Sequence, residues 1–251
     1  MAAAYPDLEG KVVLITGGAV GIGQSLVREL ARQGSRVAFI DIAIEPSRAL
    51  VRELEHEQRG VRFEPCDLTD IPALKRTIAA IKGQLGPIQV LINNAAGAPD
   101  RHATETLSEE LWNALIAVNL KHQVFCCQAV LPDMKAAGSG VIINLAALCW
   151  MLGAEGLAAY SAAKAAVLGL TRSLAREYGP HGVRVNAVAP GWVRSESAEH
   201  GFPGSEADIL ARQCLKRRLE PAEIARFIVF LASEEASACT AQHYAVDGGY
   251  L

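Results

Sequence analysis

Tyr160 and Lys164 stand four residues apart in the segment AAYSAAK, which has the composition of a helix. Residues at i and i+4 lie on one face of a helix, so the phenol and the amine can reach the same point in space. A phenol titrates near pH 10 in water, and a fixed ammonium beside it favours the phenolate. The pair therefore predicts proton transfer with Tyr160 as a general base near neutral pH. Because this spacing is common in helices, its weight depends on the residues that accompany it.

A glycine-rich turn, TGGAVGIG at residues 16–23, follows the first β-branched run and opens the first helical pattern. Its glycines allow a tight turn and let a pyrophosphate approach backbone N–H groups at the positive end of the helix. We therefore expect a dinucleotide site that includes Gly17, Val20, Gly21, Ile22 and Gly23.

Asp41 ends the second β-branched run, 18 residues after Gly23. A carboxylate there can accept hydrogen bonds from the adenosine ribose and would repel a 2′-phosphate. Val20 in the turn supplies no counter-charge for that phosphate, although Arg36 at the start of the run leaves some room for NADP. We expect NAD as the cofactor, with Asp41 and Ile42 in contact with it. The structural alternative for Asp41 is a turn cap.

Two further runs end in residues suited to the same cleft. In an open parallel sheet the ligand lies across the carboxyl ends of the strands. Asp67, followed by Leu68, is expected to meet the adenine amine, and the small residues Ala95 and Ala96 leave room for ribose. Asn93 is included among the cofactor residues, but bracing of the backbone where the sheet opens is its preferred interpretation.

The elements that must position these residues alternate along the chain, which predicts one doubly wound α/β domain of Rossmann type over residues 1–251. Buried parallel strands are predicted at residues 12–16, 36–41, 61–66, 90–93, 141–145 and 183–188. Helices are predicted at residues 21–33, 45–58, 71–82, 108–134, 158–178 and 220–233. The segment 191–205 lacks clear periodicity and is either an active-site lid or a plain surface excursion.

Composition excludes several other classes of protein. With 251 residues, 20% charged residues and a net charge of -3, the chain has no broad basic surface for nucleic acid. Six scattered cysteines without CxxC or paired histidine spacing indicate neither disulfides nor a metal site. We see no secretory leader and no apolar run of about 18 residues, so we expect a soluble cytoplasmic protein without membrane contact.

The glycine turn, residues 93–97, Asn119, the Tyr160/Lys164 pair and Pro190-Gly191 together resemble the short-chain dehydrogenase/reductase family over essentially the whole chain. The resemblance implies a seven-stranded parallel sheet, a nicotinamide cofactor, and catalysis by Asn, Ser, Tyr and Lys. It also implies that Asn119 forms a helix kink and holds a water that relays protons to Lys164. Lys164 would in addition bind the nicotinamide ribose, and Tyr160 would be the acid/base. The positive nicotinamide ring of the oxidised cofactor is expected to aid the ammonium in favouring the phenolate of Tyr160.

On the nicotinamide side, the resemblance implies that Pro190, Gly191 and Val193 frame the ring, with Val193 offering backbone groups to its carboxamide. Ser195 stands where family members often have Thr. The segment YAVDGG at residues 244–249 is similar to the closing strand of the family, which usually takes part in tetramer contacts, so a homotetramer is expected.

A closer resemblance links the chain to bacterial sugar dehydrogenases of this family, which include D-xylose 1-dehydrogenase and relatives acting on L-fucose, L-arabinose or keto-deoxy sugar acids. It rests on residues 100–102 (DRH), Asn144 with Cys149-Trp150, residues 213–217 (QCLKR), and Cys239-Thr240 before residues 247–249 (DGG). It implies NAD and a sugar or sugar-acid substrate. Trp150 and Trp192 are then candidates for packing against sugar C–H surfaces, and ordinary core or interface packing is their alternative.

The resemblance fails at one position. Counting 13 residues back from Tyr160, where the family has its catalytic serine, reaches Ala147. Cys149, two residues further on, is a weak hydrogen-bond donor and no obvious substitute, although both positions are expected near the substrate. Three interpretations remain open: an engineered serine-to-alanine change, a natural enzyme that tolerates the loss, and a protein that only binds NAD. An NADPH-dependent 3-oxoacyl thioester reductase is the rival activity.

Overall fold

The alternating runs of the sequence form seven parallel strands in a computed structural model, which describes residues 3–56, 60–97, 101–194 and 206–251. The strands pair in the order β3-β2-β1-β4-β5-β6-β7. The predicted doubly wound α/β fold with a seven-stranded sheet is therefore confirmed. The strands are β1 (Val12–Thr16), β2 (Arg36–Asp41), β3 (Val61–Pro65), β4 (Val90–Asn93), β5 (Gly140–Leu145), β6 (Val183–Pro190) and β7 (His243–Val246).

Helices cover both faces of the sheet. They are α1 (Gly21–Arg32), α2 (Ile44–His56), α3 (Ile71–Leu85), α4 (Glu109–Ile116), α5 (His122–Ala137), α6 (Ala158–Tyr178), α7 (Glu206–Arg212) and α8 (Pro221–Ala232). Successive side chains of a strand point to opposite faces. Val13 of β1 accordingly packs in one buried cluster with residues of α1 and α8, and Leu14 packs in another with residues of α3 and α5. Because both faces of the sheet are covered at its centre, β1 and β4 are buried at every position, whereas the edge strands β3 and β7 are partly exposed.

The helix predicted at residues 108–134 is in fact divided. Ser108 is its N-cap, with Oγ accepting the Leu111 N–H at 3.2 Å, and α4 gives way to a π-helical turn, Ala117–Lys121, before α5 continues to Ala137. Inside the turn, Asn119 Nδ2 donates to the Leu115 carbonyl at 3.0 Å. A side chain that bonds to a carbonyl of the preceding turn competes with the regular backbone bonds, which is a known cause of such interruptions.

Other boundaries differ by a few residues. β3 ends one residue earlier than predicted, β6 continues two residues further to Pro190, and α7 was not predicted. The proposed lid at residues 191–205 falls mainly on residues 195–205, which lie outside the described residues.

By length and composition, Glu109–Ala137 could cross a membrane, with a mean hydropathy of 1.3. The segment instead packs against α3, α6, β4 and β5, as the core helix of this fold does.

Candidate active site

A cleft of about 320 Å³ lies where the first four strands of the sheet end. Carboxyl ends of parallel strands meet at one edge of a sheet, which brings distant parts of the chain together there. The predicted cofactor residues on its wall are Gly17, Val20, Gly21, Ile22, Gly23, Asp41, Ile42, Asp67, Leu68, Ala95 and Ala96. Three further residues, Cys66, Asn94 and Val118, also line the wall, and no role was predicted for them.

The glycine turn of this cleft needs its glycines for steric reasons. Gly17 and Gly21 have φ values of +71° and +58°, in the left-handed region that glycine adopts at little cost. A Cβ on Gly23 would lie 1.7 Å from the Gly17 carbonyl oxygen, so helix α1 can pack against the turn only without a side chain there. The resulting cradle of backbone at the start of α1 fits a pyrophosphate.

Asp41 joins the glycine turn to the end of β2. Its Oδ2 accepts the Ala19 N–H and its Oδ1 accepts the Ala43 N–H, each at 2.9 Å. Asp41 therefore caps the turn, as its structural alternative predicted. Because Asp41 also lies on the cleft wall, it presents its negative charge to whatever nucleotide binds there.

Two neighbouring asparagines at the end of β4 make different contacts. Asn93 is fully buried, donates from Nδ2 to Asn144 Oδ1 of β5 at 2.8 Å, and is not on the cleft wall, in keeping with bracing rather than with cofactor contact. Asn94 donates from Nδ2 to the Thr16 and Gly17 carbonyls at 3.1 and 2.7 Å. Thr16 Oγ1 in turn accepts the N–H groups of Asn94 and Ala95. In the sequence, this role of Asn94 was indicated only by the presence of a polar residue at the end of a strand.

Tyr160 and Lys164 both lie on α6, as their spacing predicts. The Lys164 Nζ is 5.7 Å from the centroid of the Tyr160 ring and donates to the Leu145 carbonyl oxygen at 3.1 Å. The lysine is buried, and this desolvation lowers the pKa of its ammonium to about 8, against a smaller opposing effect of the Cys149 thiol. The amine can therefore change its charge near neutral pH.

The expected lowering of the Tyr160 pKa is not what the protein alone shows. Tyr160 is partly exposed, but its hydroxyl sits among packed atoms, and burial raises its pKa, with a further rise from the nearby Cys149 thiol. The lowering was predicted from the ammonium together with the positive nicotinamide ring of the oxidised cofactor, without regard to desolvation, which disfavours the phenolate. A positive charge beyond that of Lys164 is needed before Tyr160 can act as a base near neutral pH.

Asn119 occupies the π-helical turn, where the resemblance implied a kink. Its Nδ2 donates to the Gly97 and Leu115 carbonyls at 3.1 and 3.0 Å, and its own carbonyl accepts Gln123 Nε2 at 3.1 Å. The side chain thus ties α4 to the loop after β4. Its place in a proton relay to Lys164 stays a prediction.

The position after β5 where a hydroxyl was expected holds Ala147. Ala147 is partly exposed and presents a methyl group. Burial raises the pKa of the Cys149 thiol, more than Ser161 and Lys164 lower it, so the group remains a neutral and weak donor.

The segment after β6 was assigned to the nicotinamide. A Cβ on Gly191 would lie 2.5 Å from the Asp247 Cα, so the chain passes closely over the end of β7. Val193 pairs with Leu219 through bonds from the Arg194 N–H and to the Trp192 carbonyl, and neither bond uses the N–H or C=O of Val193 itself. Those two groups suit the predicted carboxamide contact. Pro190 ends β6 beside them, and Ser195 lies outside the described residues.

Both tryptophans of the predicted substrate pocket pack against other residues of the chain. Trp192 is buried, and the Arg218 guanidinium carbon lies 4.2 Å from its ring centroid. Trp150 is partly exposed, with its ring centroid 6.2 Å from that of His243 on β7. The packing interpretation thus describes at least one face of each ring, and their contact with a substrate stays a prediction.

Comparison with known proteins extends over the whole chain. A family model described as enoyl-(acyl carrier protein) reductase matches residues 17–251. A D-xylose 1-dehydrogenase of Caulobacter vibrioides is 45% identical over 249 residues, covering 99% of this chain and 98% of that protein. A probable galactose dehydrogenase of Rhizobium meliloti is 42% identical over 248 residues, covering 98% and 96%.

Among solved structures, a blue fluorescent protein from a metagenomic library, in complex with NADPH, superposes with a TM-score of 0.89. It is 32% identical, and the match covers 97% of this chain and 99% of that one.

Proposed function

The chain belongs to the short-chain dehydrogenase/reductase family, and because its named relatives include dehydrogenases that act on CH–OH groups, we propose that it oxidises a secondary or anomeric hydroxyl of a sugar or sugar acid with NAD. The sugar assignment is supported by the two dehydrogenases at 45% and 42% identity over nearly the full chain. The preference for NAD is supported by the Asp41 carboxylate on the cleft wall.

One observation carries the proposed chemistry, namely the position of the Lys164 amine relative to Tyr160. At 5.7 Å from the ring, the ammonium stabilises a developing phenolate, which burial otherwise disfavours. The Leu145 carbonyl holds that amine in place. A bound NAD would supply the hydride-accepting chemistry and a positive ring beside the phenol.

The residues of the chain have separate tasks in this proposal. The glycine turn receives the pyrophosphate, and Asp41 accepts hydrogen bonds from the adenosine ribose. Tyr160 removes the proton of the substrate hydroxyl, while Lys164 keeps the phenolate accessible and bonds the other ribose. Val193 orients the carboxamide through its backbone.

Ala147 sets the level of activity in this proposal. One preorganised hydrogen-bond donor typically contributes a factor of about 10² to 10³ in rate. The chain as it stands is therefore a slow enzyme whose Tyr160, Lys164 and Asn119 are all retained. Whether the alanine is natural or engineered does not alter this chemistry.

The test is an assay of NAD and NADP reduction with aldoses, sugar acids and hydroxyacyl thioesters, on this chain and on Ala147→Ser. Oxidation of sugars with NAD supports the proposal. Turnover of thioesters alone, with preference for NADPH in reduction, replaces it with the rival reductase. Tight NAD binding without turnover by either chain identifies a protein that only binds the nucleotide.

Two expectations from the family remain proposals. The region of β7 is proposed to take part in a homotetramer, and the protein is proposed to be cytoplasmic. Sedimentation of the purified protein tests the first.

A further inference from the structure

Gln123 is a fully buried polar residue on α5 that the mechanism above does not use. Its Nε2 lies 3.1 Å from the Asn119 carbonyl oxygen and 3.4 Å from the Leu145 carbonyl oxygen. Carbonyl oxygens only accept hydrogen bonds, so the nitrogen of the amide, and not its oxygen, must face them. Gln123 therefore joins the π-helical turn to the end of β5.

The Leu145 carbonyl is the point where this network meets the candidate active site. On the β4 side the ladder of the sheet ends at the pair Asn93 and Asn144, one residue earlier. The oxygen of Leu145 instead accepts two side-chain donors, the Lys164 amine at 3.1 Å and the Gln123 amide. Two donors that converge on one oxygen bring their positive hydrogens close to each other.

We propose that Gln123 is a positioning residue for Lys164, which fixes where the amine lies and how tightly it holds its proton. The Gln123 amide donates to the Leu145 carbonyl oxygen, which also accepts the Lys164 amine, and to the Asn119 carbonyl oxygen. Its partial positive charge, next to Nζ, disfavours the ammonium. This inference rests on the proposed function in so far as the proton of Lys164 matters to turnover.

Of the described residues, the titratable side chains near Lys164 carry no charge that could replace the effect of the Gln123 amide on the ammonium. His122, the neighbour of Gln123, is fully buried, and burial together with the charge of Lys164 lowers its pKa to about 3, so the imidazole is neutral. The Cys149 thiol is neutral because burial raises its pKa, and the Tyr160 phenol is neutral for the same reason. The Gln123 Oε1 has no hydrogen-bond partner within the described part of the chain.

The decisive variant is Gln123→Glu, which keeps the shape of the side chain and, once its carboxyl group is ionised, places a negative charge on the other side of the Leu145 carbonyl oxygen from the amine. An opposite charge within about 4 to 6 Å raises the pKa of a basic group by about 1 to 3 units. The unfolding temperature without cofactor reports this, because a lysine whose pKa is about 8 in the folded state contributes stability that increases as the pH rises above 8. The buried Cys126 and Cys127 thiols, whose pKa burial raises, act in the opposite sense but equally in every variant. We expect this rise to be lost or displaced upward in Gln123→Glu.

Gln128 provides the matched control, because it lies on the same helix and is exposed. In Gln128→Glu the unfolding temperature should rise over the same pH range as in the unchanged chain. Gln123→Met, which removes the donor, should lower kcat about tenfold relative to Gln128→Met with less change in KM, since a small misplacement of a catalytic group costs rate.

An unchanged rise in Gln123→Glu overturns the proposal, and so does a kcat of Gln123→Met within twofold of Gln128→Met. Should no variant oxidise any alcohol, the proposed function fails, but the comparison of unfolding temperatures still decides the role of Gln123. Should Gln123→Met not fold, Gln123→Glu alone gives the answer.

Discussion

The Asp41 carboxylate accepts the backbone N–H of Ala19 at 2.9 Å, so the residue at the end of β2 holds the glycine turn that follows β1. The same carboxylate lies on the wall of the cleft. The proposed cofactor preference and the shape of the turn thus depend on the same side chain. A change at Asp41 is expected to affect both.

The first prediction concerns that preference. Asp41→Asn removes the charge that repels a 2′-phosphate, and the ratio of Kd for NADP to Kd for NAD should fall at least about tenfold, or about 1.4 kcal/mol. Binding titrations with both nucleotides measure it. Asp67→Asn is the control, because Asp67 is an acid of the same cleft whose Oδ1 is held by Thr69. An equal drop in the control would assign the effect to general charge.

A second prediction concerns the glycines. Gly23→Ala brings a Cβ to within 1.7 Å of the Gly17 oxygen, so the turn must shift, and the affinity for NAD should fall more than tenfold with a lower unfolding temperature. Gly83→Ala is the matched substitution in α3, where a Cβ meets open space. It should stabilise the protein by about 0.5 to 1 kcal/mol, as alanine does in a helix, and leave NAD binding unchanged. Equal behaviour of the two variants would contradict the steric argument.

Restoring the serine is the third test. Ala147→Ser should raise kcat for NAD reduction by about 10² to 10³, because it returns a hydrogen-bond donor to the substrate oxygen. Ala162→Ser adds the same hydroxyl at an exposed position of α6 and should change nothing. Steady-state kinetics at saturating NAD give the comparison. No gain in Ala147→Ser would mean that this chain places its donor elsewhere or does not catalyse the reaction.

The fourth prediction is a dependence of stability on pH. Burial lowers the pKa of Lys164 from 10.5 to about 8 in the folded protein. Between these values the unfolded chain binds more protons than the folded one, so the free energy of unfolding contributed by this group rises with pH. Below pH 8 the buried ammonium costs on the order of 3 kcal/mol, which is recovered as it deprotonates.

Denaturant unfolding from pH 7 to 10 tests that dependence, with Lys164→Met as the variant that should lack the rise. From about pH 9 the raised pKa values of the buried Cys126 and Cys127 thiols act in the opposite sense in both chains, and above pH 10 the raised pKa of Tyr160 does so too, because the unfolded chain then releases these protons first. The rise is therefore read as the difference between the two chains. A rise of the same size in Lys164→Met would assign it to another group.

Local patterns in the sequence determined the fold and much of the cleft. Short β-branched runs, alternating with helical patterns, identified six of the seven strands to within two residues of their ends, and the seventh came from a family resemblance. The glycine turn, Asp41 and the acids and small residues at strand ends were also identified. These predictions succeed because the carboxyl ends of parallel strands lie at one edge of the sheet, so the residues that follow the strands come together there.

Only the tertiary structure decided what depends on burial and on contacts distant in the chain. It showed that desolvation raises the pKa of Tyr160, that Asn93 braces β5, and that the tryptophans pack against Arg218 and His243. It also revealed Gln123 between two carbonyls 26 residues apart in sequence. No spacing rule encodes these facts, because a pKa or a shared acceptor depends on which surfaces are excluded from water after the elements have packed.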